Sequence, residues 1–182
     1  MNKRLVTLSA IIALAALSRL LPHPPNVTPI AAMALCGGVY LRDRKVAFLL
    51  PIAAMFFSDL GLAVTVYGTV MLKSQPIVYL CILVTVAIGR LVRDRKSVLK
   101  IALALFASAV IFYLLTNFAV WAFSTLYPKT WGGLITCYTA AIPFFRNSLI
   151  GDVAFAALLF GGFAALERSF ISLREQQAPL HA

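Results

Sequence analysis

Six long apolar stretches alternate with short polar segments along the 182-residue chain. A helix needs about 20 apolar residues to cross a bilayer, within a range of about 17–25. Five stretches reach this range, whereas the second is shorter and contains Cys36-Gly37-Gly38. The pattern predicts an all-α integral membrane protein with a single domain over residues 1–182, a six-helix transmembrane bundle. Its spans are expected at about 5–21, 28–41, 46–64, 76–92, 98–123 and 144–166.

Prolines and glycines between the apolar stretches predict where helices end. The proline-rich residues 22–25 cannot continue a helix, so a tight turn should follow the first span. A loop is expected at 127–133, followed by a short interfacial helix at 136–142 that ends before Pro143. The short second span is expected to be tilted, broken or partly re-entrant, which is tolerated where protein encloses the backbone.

Composition agrees with a lipid environment. Hydrophobic residues make up 62% of the chain and charged residues 12%, with a mean hydropathy of +0.93. Soluble domains are about half apolar and a quarter charged. The solvent of most of this surface is therefore membrane lipid.

The net charge of +10 is distributed in short basic runs between the apolar spans. This distribution is typical of cytoplasmic loops and argues against a nucleic-acid partner. If the N-terminus is cytoplasmic, both termini lie inside, and the outer side keeps few basic residues. The inside then holds Lys3, Arg4, Arg42, Arg44, Lys45, Arg90, Arg93, Arg95, Lys96, Lys100, Arg168 and Arg174, and the outside holds Arg19, Lys73, Lys129 and Arg146.

Polar residues within the later spans fall in the half that faces away from the cytoplasm. A charged side chain at mid-bilayer costs about 2.5–3.5 kcal/mol on insertion scales, so such residues usually face a cavity or a partner. Their one-sided placement predicts a ligand pocket that opens to the outside. The residues concerned are Asp59, Cys81, Asn117, Arg146, Asn147 and Asp152.

Helical spacing sorts these candidates by face. Tyr113, Asn117 and Trp121 recur every four residues on one face of the fifth span, and Ser148 lies four residues before Asp152. An aromatic face for a flat group, amides and a charge pair would together form a binding site. The alternative is structural, with Asp59–Arg146 as an ion pair and the aromatic residues as an interfacial belt.

Three cysteines occur without a C-x-x-C spacing, so no zinc site, redox motif or other cofactor is predicted. Cys81 is either a small buried hydrophobe or a soft thiolate ligand to a metal carried by the substrate. Cys137 is expected at the outer surface. No P-loop, H-E-x-x-H or Ser/His/Asp set is present, so the chain is not expected to be an enzyme or to hydrolyse ATP itself.

The motifs resemble those of the S-components of energy-coupling factor (ECF) vitamin transporters, and the resemblance covers most of the chain. These are six-helix substrate-binding subunits with a ligand pocket near the extracellular face. The residues that carry it are Asn26-Val27-Thr28-Pro29, Cys36-Gly37-Gly38, Ser58-Asp59-Leu60-Gly61 and Asn147-Ser148-Leu149-Ile150-Gly151-Asp152. The chain is also similar to bacterial membrane proteins without an assigned function.

The resemblance implies a vitamin-uptake subunit in the bacterial inner membrane, contacting lipid and a vitamin-like ligand. Asn26 and Thr28 would join the pocket, and loops at 22–28 and 67–75 would close over it. The family docks on a coupling subunit with ATPases through Ala-x-x-x-Ala in the first helix. This chain has Ser9-x-x-x-Ala13, and the small stripe Ser9, Ala13 and Ala16 is its candidate partner interface.

Solitary relatives take up cobalamin through a membrane cysteine that ligates cobalt, and the depth of Cys81 is similar. Cobalamin is therefore one expected substrate, taken up with or without a coupling module. Two other functions remain open from the residues: a scaffold or assembly subunit, and an enzyme that uses Asp59, Asp152 and Arg146 on a lipid or polyprenyl phosphate.

Overall fold

The computed structural model describes residues 3–67 and 75–174, and the secondary structure found there is helical throughout. The helices are α1 (Lys3–Ser18), α2 (Ile30–Tyr40), α3 (Arg44–Leu62), α4 (Gln75–Val92), α5 (Val98–Phe123), α6 (Trp131–Ala156) and α7 (Gly162–Ser169). Helix α3 continues into a π-helical turn, Ala63–Tyr67, and a second such turn, Ala157–Gly161, joins α6 to α7. Short 3₁₀ turns cover Arg93–Arg95 and Ile171–Leu173.

Helix α2 forms the centre of the bundle. Every residue from 31 to 41 is buried, and the helix packs against α1, α3, α4, α5 and α6. A helix that is apolar on all sides is expected to be enclosed by others. With 11 residues it is about 16 Å long at 1.5 Å per residue, too short to cross a bilayer alone. The prediction of a weakened second span therefore matches a short helix held inside protein.

Two glycines bring α2 and α4 into close contact. A methyl group added at Gly38 would lie 2.4 Å from the Val86 carbonyl oxygen, and one at Gly89 would lie 2.8 Å from that of Leu35. Small residues at such crossings let helix backbones approach each other in lipid. The end of α2 is further held by Arg90 and Arg93, whose guanidinium groups donate to the Leu41 carbonyl at 3.1 and 2.5 Å.

Side-chain caps mark the start of three helices. The Asp43 carboxylate accepts from the Val46 N–H at 2.9 Å, and the Ser97 hydroxyl accepts from that of Lys100 at 3.3 Å. The Thr130 hydroxyl accepts from the Gly133 N–H at 3.2 Å. Caps of this kind satisfy backbone donors that have no partner in the first turn of a helix.

The last helical segment begins earlier than the sequence predicts. One continuous helix runs over Trp131–Ser169, with Pro143 inside it. The loop prediction at 127–133 was wrong beyond Thr130, and residues 136–142 are part of the long helix rather than a separate one. Thr130 caps the helix, and Gly133 allows it to begin against Pro128, since an added methyl would lie 2.0 Å from the Pro128 oxygen. Proline is tolerated inside membrane helices when neighbouring groups satisfy the freed backbone.

Among the described residues, four helices are long and apolar enough to cross a membrane: Arg44–Val66, Gln75–Val92, Val98–Phe123 and Trp131–Ser169. Helix α1 has 16 residues and α2 has 11. The first and last helices meet at one end of the bundle. There Arg4 forms an ion pair with Glu167 and donates to the Leu173 carbonyl at 2.6 Å. The described ends of the chain therefore lie on the same side.

Candidate functional site

A cavity of about 140 Å³ lies between α2, α5, α6 and the turn that precedes α2. Each long helix contributes one face to it, with residues spaced three or four apart as a helical stripe requires. From α5 the lining residues are Ala109, Phe112, Tyr113, Thr116 and Asn117, and from α6 they are Ala141, Phe144, Phe145, Ser148 and Asp152. The turn and the start of α2 add Asn26, Thr28, Ile30 and Ala31.

The turn before α2 is fastened to α6. The Asn147 side chain donates to the Pro25 carbonyl at 3.1 Å, and Gly151 lets the backbone at Val27 approach, since an added methyl would lie 3.0 Å from the Val27 Cα. Asn26 adopts a φ of +64°, a left-handed conformation that asparagine tolerates better than most residues. These contacts hold Asn26 and Thr28 at the cavity wall, whereas Asn147 positions the turn.

Aromatic rings form one wall of the cavity. The Tyr113 ring centroid lies 4.9 Å from that of Phe145 and 5.5 Å from that of Tyr138. The Tyr113 hydroxyl donates to the Tyr138 carbonyl at 2.6 Å, which fixes the ring against α6. Tyr113 was predicted at this site, whereas the phenylalanines were missed, although helical spacing of seven residues from Asp152 would have indicated Phe145.

The polar side chains from α5 hydrogen-bond within their own helix. The Thr116 hydroxyl donates to the Phe112 carbonyl at 2.7 Å, and the Asn117 amide donates to the Tyr113 carbonyl at 2.7 Å. A threonine hydroxyl has one hydrogen and two lone pairs, so a hydroxyl bonded in this way can only accept from a further partner. The Asn117 side-chain oxygen likewise remains an acceptor.

Asp152 is the acidic residue of the cavity wall. Its side chain is 5% exposed. Within residues 3–67 and 75–174, its carboxylate makes no hydrogen bond or ion pair. The close approach of this helix to the turn before α2 is made by the neighbouring Gly151. A buried carboxylate without a partner is costly, and a cavity beside it offers room for one.

A separate polar cluster joins α3 and α4 to the end of α1. Arg19 pairs with Asp59 at 2.8 Å and donates to the Ser58 hydroxyl, and the Tyr79 hydroxyl donates to Asp59 at 2.9 Å. Arg19 is 7% exposed and Asp59 0%. The ion pair predicted between Asp59 and Arg146 was thus assigned to the wrong arginine. The position of Arg19 near the end of an apolar stretch could have indicated it as a partner of Asp59. Nothing in the sequence indicated Tyr79 as a second partner.

Several other predicted site residues lie outside the cavity lining. Arg146 is exposed, and Cys81 is buried at 2% exposure without contributing to the wall. Trp121 donates from its ring nitrogen to the Pro128 carbonyl at 2.9 Å, so it fastens the segment between α5 and α6. Asp59 belongs to the Arg19 cluster. The part of the predicted 67–75 loop at 68–74 lies outside the described residues.

Burial also changes two surface predictions. Cys137 is 2% exposed, with its thiol 3.4 Å from the Asn117 carbonyl oxygen, so it is not the open thiol that was expected. In the stripe on α1, Ala16 is 2% exposed and belongs to the core, whereas Ala13 is exposed and Ser9 partly so. A partner could therefore contact Ser9 and Ala13 but not Ala16.

Among the described residues, no group of three or more His, Cys, Asp or Glu side chains is placed to bind a metal ion.

The described residues form an all-helical bundle with four apolar helices of spanning length around a small cavity, an arrangement typical of a helical membrane protein. Residues 1–177 match the model of a family of unknown function, DUF6580, and the chain belongs to that family. No curated protein and no solved structure matches the chain. The function must therefore be argued from the cavity itself.

Proposed function

We propose that the protein is a substrate-binding membrane subunit for uptake of a small nutrient, which it binds in the cavity between α2, α5 and α6. The observation that carries this proposal is the position of Asp152, which is almost fully buried, has no partner in the described part of the chain and lines the cavity. Intramembrane ionisable residues are rare and usually mark a pathway or a binding site. The resemblance to ECF S-components supports the same function.

The proposal includes an orientation. Six crossings with both termini in the cytoplasm would place the cavity towards the outside of a bacterial inner membrane, as the charge distribution predicts. The contact of Arg4 with Glu167 supports an even number of crossings, because it brings the two ends of the bundle together. Energy for transport would come from a coupling subunit with ATPases or from a gradient, since the chain carries no P-loop.

The cavity favours a small ligand. Its volume of about 140 Å³ is below the range of about 300–1,000 Å³ usual for small-molecule sites, and it would have to open widely for a corrinoid. Cys81, the predicted cobalt ligand, does not line it. The cobalamin prediction therefore gains no support from the geometry, and a compact vitamin or precursor fits better.

Native mass spectrometry of protein purified from rich medium in mild detergent tests this function. We expect one non-covalent small molecule on the wild type and none on Ala109→Leu, since Ala109 lines the cavity and is 3% exposed. Ala10→Leu, at an exposed position on α1, is the matched control and should keep the ligand. An identical adduct on all three proteins, or none after incubation of the wild type with a nutrient panel, would contradict the proposal.

A further inference from the structure

We infer that the ligand of this cavity carries a positive charge and hydrogen-bond donors, as a protonated amine does. This inference rests on the proposed function, because it specifies the chemistry of the molecule bound at the same site. It follows from the charge, the hydrogen-bonding groups and the rings at the cavity wall.

The charge of the wall is unbalanced. Asp152 contributes a carboxylate, and the lining contains no Lys, Arg or His within the described chain. Two arginines that might have compensated it are placed elsewhere: Arg19 is paired with Asp59, and Arg146 is exposed. A carboxylate enclosed in a low-dielectric interior requires an opposite charge or a proton. A cationic ligand would provide the opposite charge that the protein does not.

The hydrogen-bonding groups from α5 are mainly acceptors. The Tyr113 and Thr116 hydroxyls have one hydrogen each, and both are already donated to backbone carbonyls. Asn117 uses one amide hydrogen on the Tyr113 carbonyl and presents its own oxygen as an acceptor. A ligand rich in donors therefore finds acceptors on all three α5 side chains. A carboxylate or phosphate ligand would meet the charge of Asp152 and would depend for donors on the second Asn117 amide hydrogen and on Asn26, Thr28 and Ser148.

The aromatic residues are suited to the same ligand. Phe112, Tyr113, Phe144 and Phe145 line the cavity, and the faces of such rings attract cations electrostatically. The attraction amounts to about 2 kcal/mol when the site is desolvated. Aromatic rings beside a buried carboxylate thus favour an ammonium group over a neutral group of equal size.

Three probes that share one hydrocarbon group separate these contributions: tert-butylammonium, tert-butanol and pivalate. Their dissociation constants would be measured by ligand-observed NMR on the full-length protein in nanodiscs, with Ala109→Leu as the background. We expect the wild type to bind tert-butylammonium at least tenfold more tightly than tert-butanol, and pivalate most weakly. In Asp152→Asn this preference should fall about tenfold, while Asp94→Asn, which removes an exposed charge, should keep it.

The outcomes distinguish the inference from the proposed function. Equal or stronger binding of tert-butanol or pivalate by the wild type would overturn the cationic ligand while leaving a binding cavity. This comparison needs no variant at Asp152, so it holds even where Asp152→Asn fails to fold. An undiminished preference in a folded Asp152→Asn protein would also overturn the inference. If no probe distinguishes the wild type from Ala109→Leu, the cavity binds none of them and the inference is overturned, while native mass spectrometry of the same two proteins decides separately whether the proposed function stands.

Discussion

Asp59 and Asp152 are both carboxylates enclosed by the helices, but their surroundings differ. Asp59 is held by Arg19 at 2.8 Å and by the Tyr79 hydroxyl at 2.9 Å, so its charge is compensated inside the protein. Asp152 has no such partner within the described residues and faces a cavity. The first arrangement joins α3 and α4 to the end of α1, and the second places a carboxylate beside open space. Residue type and depth alone could not have separated the two roles.

The Arg19–Asp59 pair should contribute strongly to stability only as a pair. Arg19→Met leaves a buried carboxylate uncompensated, which we expect to cost about 3–5 kcal/mol. Arg19→Met combined with Asp59→Asn should cost clearly less than the sum of the single changes, because the unpaired charge is removed. Unfolding in detergent, followed by circular dichroism over a denaturant series, measures all three variants.

Arg146→Met is the control for this comparison of single and double variants, because Arg146 is the arginine that the sequence suggested as the partner of Asp59. Because Arg146 is exposed, its replacement should change stability by less than about 0.5 kcal/mol. Equal losses from Arg19→Met and Arg146→Met, or strict additivity in the double variant, would show that the Arg19–Asp59 pair does not form.

At the scale of elements, the bounds of the apolar stretches predicted the helices well where polar segments separate one stretch from the next. The spans predicted at about 46–64, 76–92 and 98–123 correspond to α3, α4 and α5 within two residues at each end. The prediction failed at 131–143, where Pro143 and the glycines were taken as helix breakers. That rule comes from helices in water, whereas here Thr130 caps the helix and Gly133 accommodates Pro128.

The candidate site was predictable in part for a related reason. Helical spacing correctly grouped Tyr113 with Asn117, and Ser148 with Asp152, because residues four apart share a face whatever lies opposite. Which space between the helices each face lines depends on how the helices pack against one another. The sequence carries no direct signal for this packing. Trp121 shares the spacing of Tyr113 and Asn117 but lies beyond the cavity, against Pro128.

The crossing of α2 and α4 gives a test at this scale. Gly38→Ala would place a methyl 2.4 Å from the Val86 carbonyl oxygen, and backbone on both sides cannot move aside easily. We expect a loss of about 1–3 kcal/mol from overpacking, measured by thermal unfolding in detergent. Helix propensity alone would predict the opposite sign, a gain of about 1 kcal/mol.

Gly162→Ala is the matched control for that crossing. Within residues 3–67 and 75–174, no atom outside its own helix lies within 4 Å of the position its methyl would take, so propensity should decide, and stability should stay equal or rise slightly. If Gly38→Ala behaves like Gly162→Ala, then α2 and α4 do not approach as closely as the structure has them.

At the scale of the whole molecule, burial of the three cysteines provides a clean background for testing the orientation. Cys36, Cys81 and Cys137 are at most 2% exposed, so a membrane-impermeant maleimide should leave the folded wild type unlabelled. Thr125 and Lys45 are exposed residues on opposite sides in the proposed topology. In intact cells, Thr125→Cys should be labelled, whereas Lys45→Cys should react only after the membrane is permeabilised.

These two positions also decide which side the ligand enters from. The segment that contains Thr125 follows α5, the helix whose C-terminal half carries Tyr113 and Asn117 into the cavity. Labelling of Thr125→Cys from outside would therefore place the cavity towards the exterior, as uptake requires. The reverse pattern, with Lys45→Cys labelled in intact cells, would invert the bundle. The cavity would then face the cytoplasm, and a role in uptake would have to give way to binding or export of an intracellular molecule.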